Sequence, residues 1–165
     1  MTASRLRAFF HRTLTAMLAA ACLATAQQAL AAGGGGSSDN NAPPSEYSLA
    51  KQALDDGDFE AGINKLARLH EAEPNNADVL NLLGYGYRKI GNFAEARGYY
   101  LQALAVNPEH RGANEYLGEL YLETGELDKA EERLAVLDKD CWLGCDEYTE
   151  LKESIAKYKV EKGIK

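Results

Sequence analysis

The amino-acid sequence predicts an all-α chain, an α-solenoid of three helical hairpins closed by a C-terminal capping helix. Three observations carry this. Gly57, Gly91 and Gly125 stand 34 residues apart, and Phe59, Phe93 and Leu127 each follow by two. Pro74 and Pro108 share that spacing, as do Leu49, Leu83 and Leu117, and Leu66, Tyr100 and Leu134. Between these markers apolar residues recur at helical intervals, and no stretch carries a strand signal.

The chain begins with an address. Arg5, Arg7 and Arg12 form a basic start without acids, residues 14–26 are largely apolar, and Ala29-Leu30-Ala31 places small residues two apart. This is the three-part pattern of a secretory signal peptide over residues 1–31, cleaved after Ala31. The apolar run is too short for a membrane span, which takes about 20 residues. A second route stays open: residues 18–22 loosely resemble a bacterial lipoprotein box, which would leave Cys22 as a lipid anchor. Removing residues 1–31 takes away three arginines, one of the three cysteines and no acid. The formal charge of −7 then becomes more negative, and Cys141 and Cys145 remain as an even pair. Residues 32–44, rich in Gly, Ser and Pro, read as a flexible tether.

The repeat domain follows over 45–161, with units at about 43–76, 77–110 and 111–144. In the middle unit Leu80, Leu82, Leu83, Tyr87 and Ile90 predict an amphipathic helix over 77–90. Gly91 ends it, and Asn92 with Glu95 reads as a capping box for the next helix. That helix runs to about Val106, where Pro108 prevents continuation. Gly84 and Ala96 are small where two helices approach. Residues 146–161 form the cap: Tyr148, Leu151, Ile155 and Tyr158 share one face, and Glu150, Glu153, Lys157 and Glu161 the other.

At this point the residues resemble the tetratricopeptide-repeat family. Its eight signature positions are occupied in the middle unit by Leu80, Leu83, Gly84, Tyr87, Ala96, Tyr100, Ala103 and Pro108. The third unit keeps Leu117, Gly118, Tyr121 and Ala130 but has Trp142 where the proline falls, and the first unit is degenerate but in phase. The resemblance implies that these residues pack the hairpins together. It also implies that first helices line a groove for a protein segment, with Tyr47, Lys51 and Asp55, then Asp78, Asn81, Tyr85, Arg88 and Lys89, then Glu115, Glu119, Leu122 and Glu123 facing it. Some members of the family hold a C-terminal carboxylate through Lys, Asn and Arg; Gly112 and Tyr116 stand at the corresponding third-unit positions, so that clamp is not expected.

Charge points to a kind of partner. Glu115, Glu119 and Glu123 form an i, i+4, i+8 stripe that selects a basic segment, or is a solvated face partly neutralised by Arg88 and Lys89. The acidity argues against nucleic acid. There is no phosphate loop, His-Glu metal motif or nucleophile elbow, so no enzyme activity and no cofactor are expected. His70 and His110 lack an obvious partner. Cys141 and Cys145 flank the turn before the capping helix and read as a disulfide, the expected state of an exported pair. Thiol-redox or metal handling at the same pair, with His110 nearby, is the alternative. The sequence thus describes an exported, periplasmic or secreted adaptor of the bacterial cell envelope that binds protein.

Overall fold

The computed structural model describes residues 44–164. The signal segment, Cys22 and all but the last residue of the tether lie outside that range. Seven helices follow in order: α1 (Glu46–Asp55), α2 (Phe59–Ala72), α3 (Ala77–Lys89), α4 (Phe93–Val106), α5 (Arg111–Glu123), α6 (Leu127–Asp140) and α7 (Asp146–Lys162).

The 34-residue glycines have a backbone cause. Gly57, Gly91 and Gly125 adopt φ of 82°, 80° and 79° in the turn inside each hairpin, a left-handed conformation that costs other residues energy. Helix starts are capped locally. Ser45, Asp58 and Asn76 accept backbone N–H groups of the first turn. Asn92 stands at the start of α4 but its side chain makes no cap bond, so the predicted capping box with Glu95 does not form. An asparagine does cap α3 from position 76, where ψ is 106° rather than the 73° of Asn92.

His110 does have partners, contrary to the sequence reading. Its Nδ1 accepts the Ala113 N–H at 3.1 Å, which caps α5, and its Nε2 lies 3.0 Å from Asp78 Oδ1. One imidazole therefore ties the start of α5 to the start of α3. Pro108 is exposed and acts in the turn rather than in packing; its carbonyl accepts Asn114 Nδ2 at 3.0 Å.

Helices pair within each hairpin and then stack. The backbones of α1, α3, α5 and α7 approach one another in succession, whereas those of α2, α4 and α6 stay further apart, with side chains such as His70 and Tyr99 meeting across the gap at 5.9 Å. The stack therefore curves with the odd-numbered helices on its inner side. Ala50, Leu54, Ile63, Leu66, Val79 and Leu83 form one core across the first and second hairpins. Ala96, Tyr100, Leu117, Leu120, Tyr121, Ala130, Leu137, Leu151 and Ile155 form another that reaches the cap. Leu80, Ala103 and Ala113 fill the space between α3, α4 and α5. Ile90 is 47% exposed and does not join a core; it is the C-cap residue of α3, beyond the last helical turn.

The cap is held by close approach and by sulfur. Leu151 is fully buried, and a Cβ on Gly118 would lie 2.6 Å from its Cδ2. The absent side chain at Gly118 is what lets α7 settle onto α5. Cys141 ends α6 and Cys145 caps α7. Their sulfurs are bonded, with the Cα atoms 5.5 Å apart, and close a loop over Trp142, Leu143 and Gly144. Chain-entropy arguments give so short a loop about 2 kcal/mol. The double variant Cys141→Ser, Cys145→Ser is therefore expected to unfold at lower urea concentration by about that amount, with the cap lost first. Unchanged hydrogen exchange in α7 would contradict this.

Candidate functional site: the inner face of the stack

The inner face is built from α1, α3, α5 and the start of α7. Its centre is aromatic. The Tyr85 and Tyr116 rings lie 5.2 Å apart in a tilted arrangement, and Phe59 meets Tyr85 edge-on at 6.4 Å. Lys89 Nζ stands 5.7 Å from the Tyr85 centroid. Tyr85 and Tyr116 are each partly exposed, so a flat apolar surface with polar tips faces outward. At the α1 end, Lys51 pairs with Asp55 at 2.7 Å. Burial, then the nearby Asp78 charge, pushes the Tyr47 hydroxyl up, while Lys51 opposes this. Tyr47, Lys51, Asp55 and Asp78 thus form one polar end.

Arg88 is not a groove residue in the sense expected. It is 8% exposed and lies beneath the surface. Its guanidinium bonds Glu119 at 2.6 Å and Glu123 at 2.8 Å, and it sits 5.9 Å from the Tyr85 centroid and 5.6 Å from that of Tyr116. It cross-links α3 to α5 and packs against both tyrosines. Two of the three glutamates of the predicted stripe are therefore already paired. Leu122, also placed in the groove, is 8% exposed and belongs to the core.

Glu115 and Asn81 also depart from expectation, because both are buried, at 3% and 6% exposure. Asn81 lies against α5, with Nδ2 3.0 Å from where a Gly112 Cβ would sit. Its Oδ1 is buried without a hydrogen-bond partner. Among the described residues no basic side chain pairs with Glu115. Burial pushes its carboxyl up to about 9, reinforced by Glu150 of α7 beside it and by the charges of Glu119 and Glu147. Burial likewise pushes the Tyr116 hydroxyl up to about 12, with Glu115 the next cause.

Glu115 carries a pH dependence whose sign is fixed. Its folded-state value is above its ordinary one, so the folded form holds the proton longer than the unfolded form does. The stability it contributes is complete below about 4.5 and is lost as pH rises toward 9. Glu126 works in a separate window. Hydrogen bonds from Lys129, Arg97 and Thr124 hold it down to about 2, so its contribution is present above 4.5 and lost as pH falls. Glu115→Gln is therefore expected to be more stabilising at pH 8 than at pH 5, by about 1 kcal/mol or more. Urea midpoints at the two pH values measure this; an equal effect at both would contradict it.

The fold and its inner face define a helical-repeat solenoid with an aromatic and polar recognition surface. Residues 81–140 match the tetratricopeptide-repeat family model. A curated relative, the uncharacterized protein ycf37 of Pyropia yezoensis, is 35% identical over 85 residues, covering 50% of this chain and 46% of that protein. The chain thus spans about half the length of the curated relative it matches. Among solved structures, the Yersinia enterocolitica secretion chaperone SycD in complex with a peptide of the translocator YopD superposes with a TM-score of 0.61. It is 20% identical, over 71% of this chain and 92% of that one. The second repeat domain of human RPAP3, in complex with an HSP70 peptide, gives a TM-score of 0.59 at 22% identity, over 70% and 92% of the two chains. At these identities the likeness is one of fold.

Proposed function

We propose that the chain is a non-enzymatic binding module whose inner face holds an extended segment of another protein. The observation that carries this is the Tyr85–Tyr116 pair, two partly exposed rings backed by a fixed guanidinium on rigid helices. Rigid aromatic surface with polar tips binds protein segments at low entropic cost. The solved relatives hold peptides of a translocator and of a heat-shock protein, which supports the same use here. The acidic α5–α7 end supports a segment that carries basic residues. We further propose that the protein works outside the cytoplasm, as a soluble chain or lipid-anchored at Cys22; the Cys141–Cys145 bond supports an oxidising compartment.

Photo-crosslinking tests the groove. A crosslinker at position 85 is expected to capture a defined partner in cells, and one at Asn64 on the exposed side of α2 is not. Tyr85→Ala with Lys89→Ala should abolish the capture without loss of helicity. Equal capture from both positions would move the site off the inner face.

A further inference from the structure

Two polar groups of the inner face lie buried without a cation. Asn81 Oδ1 is buried without a partner, and Glu115 is 3% exposed, lies beside Glu150 and has no salt-bridge partner among the described residues. They belong to one place. The Asn81 carboxamide lies against Gly112, and Gly112 and Glu115 share a face of α5 one turn apart. The neighbouring cation does not serve them, because Arg88 is bonded to Glu119 and Glu123. Arg111, at the start of the same helix, is bonded to Asp140.

The fold answers the crowding at Glu115 with a retained proton and leaves the Asn81 oxygen unanswered. A buried carboxyl facing Glu119, Glu147 and Glu150 opposes folding, and a buried amide oxygen without a donor opposes it again. A group that supplies N–H donors and positive charge would relieve both. Gly112 leaves the approach to the Asn81 amide free of a side chain, and the Tyr116 and Tyr85 rings beside it suit the aliphatic stem and charged head of a long cationic side chain.

We propose that Asn81 and Glu115 form a subsite for one lysine or arginine side chain of the bound protein segment. This rests on the groove reading above and names what the groove selects. A bound cation would displace the proton that Glu115 keeps, releasing it to solvent, and would be held by the resulting carboxylate and the Asn81 carbonyl oxygen, with Glu150 and Glu119 adding attraction from α7 and α5. The segment therefore needs a basic residue at one fixed position, whatever apolar residues it lays on the tyrosines.

The test is selection of a displayed random octapeptide library on the full chain and on its Glu115→Gln variant. Gln keeps the shape and removes the charge that Glu115 takes on when the cation binds, and circular dichroism checks that the variant is folded. The expected result is one column of the selected sequences enriched about tenfold in Lys and Arg, with that enrichment lost on Glu115→Gln while aromatic or aliphatic columns persist. Asn81→Ala should weaken the same column and no other. Selected peptides with no basic column, or a basic column unchanged in Glu115→Gln, would overturn the subsite and leave the groove standing. No selection at all, or selection unaffected by Tyr85→Ala with Lys89→Ala, would overturn the groove reading and the subsite with it.

Discussion

Gly84→Val is expected to cost about 3 kcal/mol and to split the stack at its middle. A Cβ at Gly84 would lie 2.6 Å from Cδ1 and Cε1 of Tyr100 and 3.0 Å from its Cγ. Tyr100 is fully buried, so its ring has no open space to move into. Overpacking of a filled core costs about 1–3 kcal/mol, and valine adds two methyl groups beyond the Cβ. The position amplifies the effect. α3 and α4 contact the hairpins on both sides, and in a repeat stack stability is carried by neighbour interfaces. The loss is a large part of the about 5–15 kcal/mol that holds an ordinary domain together. Gly98 supplies the control. It lies in the same hairpin, a Cβ there would meet nothing within 4 Å, and its backbone is helical. Gly98→Ala should therefore stabilise, by about 0.5–1 kcal/mol. Urea unfolding followed at 222 nm compares the two; Gly84→Val within experimental error of wild type would contradict the packing argument.

What could be read in the sequence follows from which interactions are local. The hairpin turns were legible because a glycine with positive φ and a proline that breaks a helix act within a few residues. The small Gly84 was legible as a close approach because its 34-residue partner Gly118 repeats the need. The burial of Arg88 was not read, yet a signal existed. In the repeat register Arg88 stands with Leu54 and Leu122, both of which are buried. A charged residue in an apolar column is a buried ion pair waiting for its partners. Asn81 falls in register with Tyr47 and Glu115, which assigns all three to one face of their helices but says nothing of depth. Depth at Glu115 depends on how far α7 closes over α5, and that is set by Leu151 against Gly118 across 33 residues of chain. The His110–Asp78 contact is equally non-local, since it needs two helix starts brought side by side.

The inner face also separates into parts with different duties. Tyr85, Lys89 and Tyr116 present surface outward. Arg88, Glu119 and Glu123 fix the spacing of α3 and α5 beneath them. Asn81 keeps an acceptor without a donor, and Glu115 a buried carboxyl without a cation. The predicted acidic stripe is therefore three glutamates in two situations: paired at Glu119 and Glu123, unpaired at Glu115.

Arg88→Met should show the weight of that middle layer. Methionine keeps much of the volume of the side chain and removes its charge. Glu119, whose side chain is 24% exposed, would lose a 2.6 Å partner while still facing Glu115. Glu123 is 41% exposed and would be solvated instead. Removing one member of a buried pair costs about 3–5 kcal/mol, and the partial exposure of both carboxylates lowers this to about 2–3 kcal/mol. The cation–ring contacts with Tyr85 and Tyr116 go at the same time, so the tyrosines lose the charged group packed against both rings. Adding Glu119→Gln to Arg88→Met should restore at least half of the loss, because the uncompensated charge is then removed. A double-mutant cycle in urea measures the coupling. If the second substitution restored nothing, the cost of Arg88→Met would lie in packing alone, and the ion pair would have no part in holding α3 to α5. If it restores the stability but not the capture of a partner by a crosslinker at position 85, the guanidinium is needed to position the tyrosines, which is the role its contact with both rings assigns to it.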